Sequence, residues 1–164
     1  MVGEVGEVYR PAPADVQCSG RDHRHDVGFQ EGQKLSASED LTIVQSAYEA
    51  FGRGDIPAVL ETFAPDIQWH FLGRNALADT YKGPQEVVGF FTQLMEGTGG
   101  TFSMEIDDFL ASDQHVVVLV RASAQRDGKR LQKNGVHIWQ LTDGKVIEVS
   151  DVALDPYAQD DFWA

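Results

Sequence analysis

Two Asp-Gly pairs in the second half of the chain constrain its fold more than any other feature of the sequence. Asp127-Gly128 and Asp143-Gly144 each separate two segments that are rich in β-branched and aromatic residues. Asp-Gly between such segments is typical of a tight β-hairpin turn. Because hairpin turns join antiparallel neighbours, this half of the chain predicts a sheet of sequential antiparallel strands. The four predicted strands span about residues 102–107, 115–126, 131–141 and 145–153.

Apolar periodicity in the first half predicts three helices and one strand. The first helix starts at a capping box of Ser36 and Glu39, since residues of these types three apart satisfy free amide groups at a helix start. Its apolar stripe includes Tyr48. A short helix from Asp55 through Phe63 follows, and then a strand over 67–72 and a short bridge at 80–82. The third helix begins at Pro84, and its residues predicted to face inward are Val87, Phe90, Phe91, Leu94 and Met95.

Helices followed by sequential hairpins predict an α+β protein with its helices on one face of a strongly bent sheet. The predicted central strand is apolar on both faces, since Val116, Val118 and Val120 alternate with Val117 and Leu119. Helices can cover only one of these faces. We therefore expect a second copy of the chain on the other, which predicts a homodimer through the outer face of the sheet.

The charge of the chain argues against nucleic acids and membranes as partners. Its 164 residues include 13 Lys and Arg against 26 Asp and Glu, a net charge of −13. A surface this acidic repels phosphate backbones and anionic lipid. No apolar run is long enough to cross a bilayer, and the first residues have neither the basic start nor the apolar stretch of a secretory signal. We expect a cytoplasmic protein.

Residues 1–36 differ in composition from the rest. They are rich in Gly, Pro and charged residues and lack a sustained apolar period, so we expect a flexible extension followed by one domain over 37–164. A single cysteine, Cys18, excludes an internal disulfide. The five histidines are scattered without paired ligand spacing, and no glycine loop suits a nucleotide. Neither a metal nor another cofactor is predicted.

Two titratable residues occupy predicted strand positions among apolar neighbours. His137 lies mid-strand and shares a face with Gly135, Trp139 and Leu141. An imidazole in an apolar cavity can titrate near neutral pH and can donate or accept a proton. Asp151 lies on the last strand between apolar residues, where a carboxylate needs a partner or a raised pKa. These two residues are the candidate acid and base.

Whether Asp151 reaches the face of His137 depends on the register of the last hairpin. A three-residue loop pairs Leu141 with Lys145 and leaves Asp151 beside His137. A two-residue turn pairs Thr142 with Lys145 and sends Asp151 to the opposite face. Both registers bring apolar residues together, and the three-residue loop is favoured because glycine is common at its third position.

Short aromatic and glycine-bearing motifs mark the chain from about residue 41 to its end. They are the segments Tyr48–Asp55 and Phe63–Asp66 and the motifs Trp69-His70, Tyr81-Lys82-Gly83, Phe90-Phe91, Thr98–Phe102 and Asp161-Phe162-Trp163. In this order they resemble the nuclear transport factor 2-like superfamily, and within it the SnoaL-like and ketosteroid-isomerase-like branch. The resemblance implies a cystatin-like, cone-shaped half-barrel, in which three helices pack on a bent, mainly antiparallel sheet around a deep apolar pocket.

The resemblance also implies chemistry by a few polar groups on the pocket wall. SnoaL-type polyketide cyclases use an Asp on the last strand and a His on the strand before it, which are Asp151 and His137 here. Tyr48 lies on the helix along the cavity, where its hydroxyl can bind a carbonyl. The residues expected to line the pocket and bind substrate are Trp69, Phe71, Tyr81, Phe91, Met104 and Trp139.

Two other reactions of the family lack their residues here. The isomerases carry a proton-shuttling aspartate near the position of Phe71, and the epoxide hydrolases carry Arg-x-Asp where segment 121–123 is Arg-Ala-Ser. We expect a cofactor-independent acid/base enzyme, polyketide-cyclase- or isomerase-like, that acts on an apolar carbonyl-containing small molecule with Asp151, His137 and Tyr48 as catalytic residues. The alternative is a non-catalytic small-molecule-binding or dimerisation module, which the missing carboxylates favour.

Overall fold

The computed structural model describes residues 36–164. The helices are α1 (Ala37–Gly52), α2 (Ile56–Glu61), α3 (Gly83–Gly97) and α4 (Pro156–Trp163). The strands are β1 (Phe63–Phe71), β2 (Asp79–Lys82), β3 (Ser103–Ala111), β4 (Val116–Arg126), β5 (Lys129–Thr142) and β6 (Lys145–Ala153). The predicted extension over 1–36 lies, apart from Ser36, outside the described residues, and so does Cys18.

The six strands form one bent, unclosed sheet in the order β2-β1-β6-β5-β4-β3. Strands β3 to β6 are sequential antiparallel neighbours, and β1 joins β6 in parallel. Helix α1 packs against β3 and β4, and α3 packs against β1 and β2. The predicted α+β half-barrel, with helices against a mainly antiparallel sheet, is confirmed.

Both Asp-Gly pairs form two-residue turns. Asp127 and Gly128 have φ of 49° and 77°, and Asp143 and Gly144 have φ of 50° and 72°. Left-handed conformations at both central positions are those of the type I′ turn, whose twist matches that of the flanking strands. Thr142 accordingly pairs with Lys145. The three-residue loop favoured from the sequence is therefore wrong.

A bulge in β6 nevertheless returns Asp151 to the inner face of the sheet. Leu141 pairs with Val146, but the next pair is Gln140 with Glu148, so β6 holds one extra residue at this point. One extra residue reverses the side of every residue that follows. Asp151 therefore faces the helices, directly opposite His137. The sequence analysis weighed register by turn type alone and did not consider a bulge.

Several predicted boundaries differ from the structure: β1 begins at Phe63 rather than at residue 67, and β3 ends at Ala111 rather than at residue 107. The second helix ends at Glu61 rather than continuing through Phe63, because the backbone leaves the helix to meet β6, and Val146 N donates to Thr62 O at 2.8 Å. The C-terminal segment, expected as a tail, is helix α4, capped by Asp155, whose Oδ1 accepts from Ala158 N at 3.1 Å.

The remaining elements are close to their predicted positions. At the start of α1, Ser36 N donates to Glu39 Oε2 at 2.8 Å, as the capping box requires. On α3 the predicted inward residues are buried except Met95, which is 38% exposed at the edge of the apolar face. Within residues 36–164, no helix is long and apolar enough to cross a membrane.

Candidate active site

A cavity lies between the helices and the inner face of the sheet. Its empty volume is about 750 Å³, including its open mouth. The wall is mainly aromatic and aliphatic, contributed by the four described helices and five of the six strands. Five of the six predicted substrate-binding residues line it: Trp69, Phe71, Phe91, Met104 and Trp139.

Tyr81, the sixth predicted substrate-binding residue, is not among the residues that line the cavity. It lies on β2 at the edge of the sheet, and its ring packs on Phe90 with centroids 4.7 Å apart. Its hydroxyl donates to Leu77 O at 2.7 Å. Its hydroxyl group is thus bound to the segment that connects β1 and β2, and its ring packs on α3 outside the cavity.

His137 and Asp151 meet on the inner face, as predicted. Phe71, Asp151 and His137 are register partners across β1, β6 and β5. His137 Nε2 lies 3.4 Å from Asp151 Oδ2, and the two residues are 4% and 7% exposed. The imidazole and the carboxylate therefore face each other almost without contact with water.

Tyr48 joins this pair from helix α1. Its Oη lies 2.5 Å from His137 Nδ1, and Trp139 Nε1 donates to the same oxygen at 3.1 Å. Because the ionised Asp151 carboxylate can only accept, a neutral His137 keeps its ring proton on Nε2, on the side of Asp151. Its Nδ1 is then unprotonated and accepts from the Tyr48 hydroxyl. Tyr48, His137 and Asp151 thus form one continuous chain of polar contacts.

Lys133 completes the cluster. Its ammonium contacts Asp151 Oδ1, and its Nζ lies 5.2 Å from the centre of the Phe71 ring. The lysine stem passes over Gly135 on β5, where a Cβ would lie 3.0 Å from Lys133 Cε and 2.9 Å from Val152 O. Gly135 therefore provides the space that lets a residue four positions before His137 reach the carboxylate opposite it.

The surroundings of Asp151 keep its carboxyl ionised. Burial raises the pKa of Asp151, but the positive charges and hydrogen bonds of His137 and Lys133 more than offset that penalty, and its pKa falls from 3.8 to about 2. The partner that the sequence analysis required for this carboxylate is present. At neutral pH Asp151 is therefore an anion that orients its neighbours and is poorly suited to donate a proton.

The pKa of Tyr48 is shifted in the opposite direction, because burial has the largest effect there. It raises the pKa of the hydroxyl well above 10, the hydrogen bond from Trp139 opposes this rise, and the charge of Asp151 adds to it. A free tyrosinate is therefore disfavoured. The hydroxyl can release its proton to His137 only as it takes up another, which is the behaviour of a group that relays protons.

The sequence of the chain matches a known family over most of the described residues. Residues 44–149 fit the SnoaL-like domain. The chain belongs to the SnoaL-like domain family. This confirms the predicted resemblance to the SnoaL-like branch of the nuclear transport factor 2-like superfamily.

Similar proteins are known by sequence and by structure. An uncharacterized protein of Mycobacterium tuberculosis is 31% identical over 131 residues, which are 79% of this chain and 100% of the relative. Bal32a, from a soil-derived mobile gene cassette, is 32% identical with a TM-score of 0.75, and the match covers 78% of this chain and 98% of Bal32a. A protein of unknown function with a cystatin-like fold from Xanthomonas campestris is 30% identical with a TM-score of 0.72, covering 76% and 98%.

A more distant protein of this fold has been crystallised with a small molecule. RV0760c from Mycobacterium tuberculosis, in complex with estradiol-17beta-hemisuccinate, is 16% identical with a TM-score of 0.59, and the match covers 69% of this chain and 92% of the other. At this identity the likeness concerns the fold alone.

Two polar residues that line the cavity, Lys133 and Gln159, were not predicted from the sequence. Lys133 lies two positions before Gly135 on the inner face of β5, so extending the alternation upstream from His137 would have found it. Gln159 lies on α4 and lines the cavity at 0% exposure. No signal pointed to it, because the segment after Ala153 was not expected to be a helix. Among residues 36–164 no group of His, Cys, Asp and Glu side chains is arranged to hold a metal.

Proposed function

We propose that this protein is a cofactor-independent acid/base enzyme, polyketide-cyclase- or isomerase-like, which acts on an apolar carbonyl-containing small molecule in the cavity. The observation that carries this proposal is the buried chain Tyr48–His137–Asp151–Lys133, which opens onto an otherwise apolar wall. Burying an ion pair and an imidazole together is costly, and apolar residues of similar volume would often be neutral or stabilising. Such clusters in a cleft are frequently functional sites.

Tyr48 is the group that contacts the substrate in this proposal. Both nitrogens of His137 are already engaged, Nδ1 by Tyr48 and Nε2 by Asp151. The imidazole therefore exchanges protons with the cavity through the Tyr48 oxygen. That oxygen accepts one hydrogen bond, from Trp139, and keeps a further lone pair for a substrate proton.

The proton transfer proceeds in one balanced step. Tyr48 Oη takes a proton from the carbon beside the substrate carbonyl while its own proton moves to His137 Nδ1. The products are a substrate enolate and an imidazolium, and the imidazolium lies 3.4 Å from the Asp151 carboxylate. The reverse transfer then returns the proton to the product. Positioned general acid–base groups of this kind contribute about 10²–10⁴-fold to a rate.

Asp151 and Lys133 are positioning residues in this scheme. The carboxylate fixes the orientation and tautomer of His137 and stabilises its protonated form. Lys133 keeps the carboxylate charged and occupies its other oxygen. This assignment departs from the expectation that Asp151 itself is the acid or base, because a carboxyl group with a pKa of about 2 seldom carries a proton at neutral pH.

The alternative remains a non-catalytic small-molecule-binding or dimerisation module. Its support is that the isomerases and the hydrolases of the family carry carboxylates at positions that are Phe71 and Ser123 in this chain. An enzyme that transfers protons through His137 should have a rate that depends on pH, because only the unprotonated imidazole nitrogen can accept a proton. Binding of a neutral ligand needs no such dependence.

A thermal-melt screen against polycyclic ketones, polyketide esters and terpenoid epoxides tests the proposed function. A ligand at 100 times its dissociation constant should stabilise the protein by about 2.7 kcal/mol. A shift with one class that is lost in His137→Ala but kept in His70→Ala, a histidine on the outer face, supports a ligand site at His137, and pH-dependent turnover of that ligand supports the enzyme over the binding module. No shift with any class would transfer support to the dimerisation module.

The outer face of the sheet supports the homodimer as the proposed assembly. Leu110 is 50% exposed, and Leu119 and Ile138 are each 37% exposed. Strand register places them in one apolar patch: Leu110, Val117 and Ile138 in one row, and Leu119, Val136 and Val152 in the next.

Sedimentation equilibrium should give a dimer that Ile138→Lys dissociates, while Leu154→Lys, beyond the sheet, leaves it intact. A monomeric unaltered protein would contradict this assembly.

A further inference from the structure

The proposed proton transfer creates a negative charge on the substrate, inside a wall that is mainly apolar. When Tyr48 removes a proton from the carbon beside the carbonyl, the charge develops on the carbonyl oxygen. Hydrogen-bond donors held in place for such a charge are usually the largest single contribution to catalysis. The enolate oxygen therefore needs a donor from one of the few polar groups that line the cavity.

Most N–H groups of the lining residues are engaged, enclosed or uncharged. Trp139 Nε1 donates to Tyr48 Oη at 3.1 Å. Gln159 Nε2 donates to a backbone oxygen at 2.7 Å, and Trp69 Nε1 is buried. Among the described residues that line the cavity, Lys133 is the only lysine or arginine. A charged ammonium forms stronger hydrogen bonds than the neutral indoles and amide of this wall.

The ammonium of Lys133 has more N–H groups than partners. A lysine ammonium carries three donors. Within residues 36–164, the only hydrogen-bond acceptor of Lys133 Nζ is Asp151 Oδ1. The Phe71 ring, whose centre is 5.2 Å from Nζ, receives a second N–H through a cation–π contact. One N–H is left without an acceptor, on a side chain that is only 7% exposed.

The positions of these neighbours direct the remaining N–H toward the cavity. The lysine stem lies on β5, since a Cβ on Gly135 would be 3.0 Å from Lys133 Cε. Asp151 and Phe71 extend from β6 and β1, the next two strands of the sheet. The stem, the carboxylate and the ring thus surround the ammonium on the side of the sheet. The side away from the sheet is the cavity, which Lys133 lines.

We infer that Lys133 contacts the substrate directly, by donating its remaining N–H to the carbonyl oxygen and stabilising the enolate. The inference rests on the proposed function and deepens it by adding a catalytic residue. No bond to Lys133 forms or breaks. The proton passes from carbon to Tyr48 Oη, the Tyr48 proton passes to His137 Nδ1, and the enolate oxygen keeps its charge beside the ammonium.

The arrangement orients a ketone between two contact points. Lys133 and His137 contact the two oxygens of the Asp151 carboxylate, and Tyr48 contacts the other nitrogen of the same imidazole. Tyr48 and Lys133 therefore flank the His137–Asp151 pair. A carbonyl oxygen bound at Lys133 directs the acidic carbon toward Tyr48. Removing one donor to such an oxygen typically costs about 10²–10³-fold in rate.

The carbon-13 resonance of a bound carbonyl tests the inference directly. A hydrogen bond to a carbonyl oxygen moves the resonance of its carbon downfield, and a stronger donor moves it further. The probe is 2-tetralone labelled with carbon-13 at the carbonyl, bound to the unaltered protein. We expect a resonance downfield of that in water, because the charged ammonium is the stronger donor. A bound resonance at or upfield of its position in water would overturn the inference.

Replacing the lysine identifies the donor. Lys133→Met should move the bound resonance upfield of its position in water, as in an apolar solvent. Because this variant leaves the Asp151 carboxylate without its lysine, the double variant Lys133→Met, Asp151→Asn is the second test, and we expect the same upfield position. Lys82→Met, which removes an exposed lysine from the edge strand β2, is the matched control and should leave the resonance unchanged. A downfield resonance that persists in both Lys133 variants would overturn the inference.

Tyr48→Phe separates binding of the carbonyl from transfer of the proton. This variant should keep the downfield resonance and lose the exchange of the acidic protons of the probe. A downfield resonance that is lost in Tyr48→Phe and kept in the Lys133 variants would assign the carbonyl to Tyr48 and overturn the inference.

The two readouts keep this inference separate from the proposed function. A resonance at or upfield of its position in water, together with proton exchange that depends on Tyr48, would end the inference and leave the proposed function standing. A downfield resonance that depends on Lys133, without proton exchange, would leave the Lys133 contact and end the enzyme. Neither binding nor exchange of 2-tetralone would end both.

Discussion

The ammonium group of Lys133 contacts the carboxylate of Asp151 across Gly135, inside a wall that is otherwise mostly apolar. The side chains of the pair are only 7% and 10% exposed. The ion pair holds Asp151 charged and directed at His137, whose other nitrogen contacts Tyr48. The protonation state of the whole chain therefore depends on a lysine that does not contact the imidazole itself.

Asp151→Asn should destabilise the protein strongly. Removing one partner leaves the Lys133 ammonium buried without a counter-charge, which typically costs about 3–5 kcal/mol. Urea unfolding followed by circular dichroism measures this loss. Adding Lys133→Met to Asp151→Asn should recover most of it, since the buried charge is then gone. A double variant no more stable than Asp151→Asn would show that the cost does not come from the unpaired lysine.

The ion pair also predicts how stability depends on acid. The pKa of Asp151 is about 2 in the folded protein and 3.8 ordinarily, so its contribution is complete above about pH 4 and is lost as the pH falls through 2. That difference corresponds to about 2 kcal/mol. Between pH 5 and 2 the unaltered protein should lose about this much more stability than Asp151→Asn.

Asp66→Asn, at an exposed position of β1, is the control for this measurement. It should keep the acid dependence of the unaltered protein. Parallel stability curves for the unaltered protein and Asp151→Asn would contradict the depressed pKa.

Gly135→Ala should be destabilising and should disturb the site. The new Cβ would lie 2.9 Å from Val152 O, a backbone atom, so the strands must shift as well as Lys133. Overpacking of this kind costs about 1–3 kcal/mol. Gly89→Ala on α3 is the matched control, because nothing lies within 4 Å of its Cβ and alanine favours a helix. The unfolding temperature should fall in Gly135→Ala and rise in Gly89→Ala. The same change in both variants would contradict the close approach at Gly135.

The fold and the position of His137 on the inner face of the sheet could be predicted from the sequence, because hairpin turns and strand alternation are local signals. It was insufficient for the register of Asp151. The bulge lies in β6 between Val146 and Glu148, and no distinctive residue type marks it in the sequence. The correct face was expected for the wrong reason: the turn is the two-residue type, and the bulge cancels its effect.

Other misses have the same origin in long-range contacts. Tyr81 looked like a pocket residue from its aromatic ring, yet its place on the edge strand and its bond to Leu77 O hold it behind α3. Lys133 was not singled out: alternation along β5 places it on the inner face, but only the position of Asp151 and the missing side chain of Gly135 give its charge a buried partner. A buried lysine is rare without such a partner.

The most direct test of the proton relay is exchange of the acidic protons of 2-tetralone, a two-ring ketone, followed by nuclear magnetic resonance in deuterated buffer across pH 5–8. We predict exchange faster than in buffer, at a rate that depends on pH and falls at least 100-fold in Tyr48→Phe, a variant that keeps the ring and loses only the hydroxyl. Tyr157→Phe, which removes the same hydroxyl from a tyrosine that is 81% exposed, should keep the exchange activity. Exchange no faster than in buffer, or equal rates for the unaltered protein and Tyr48→Phe, would contradict the account.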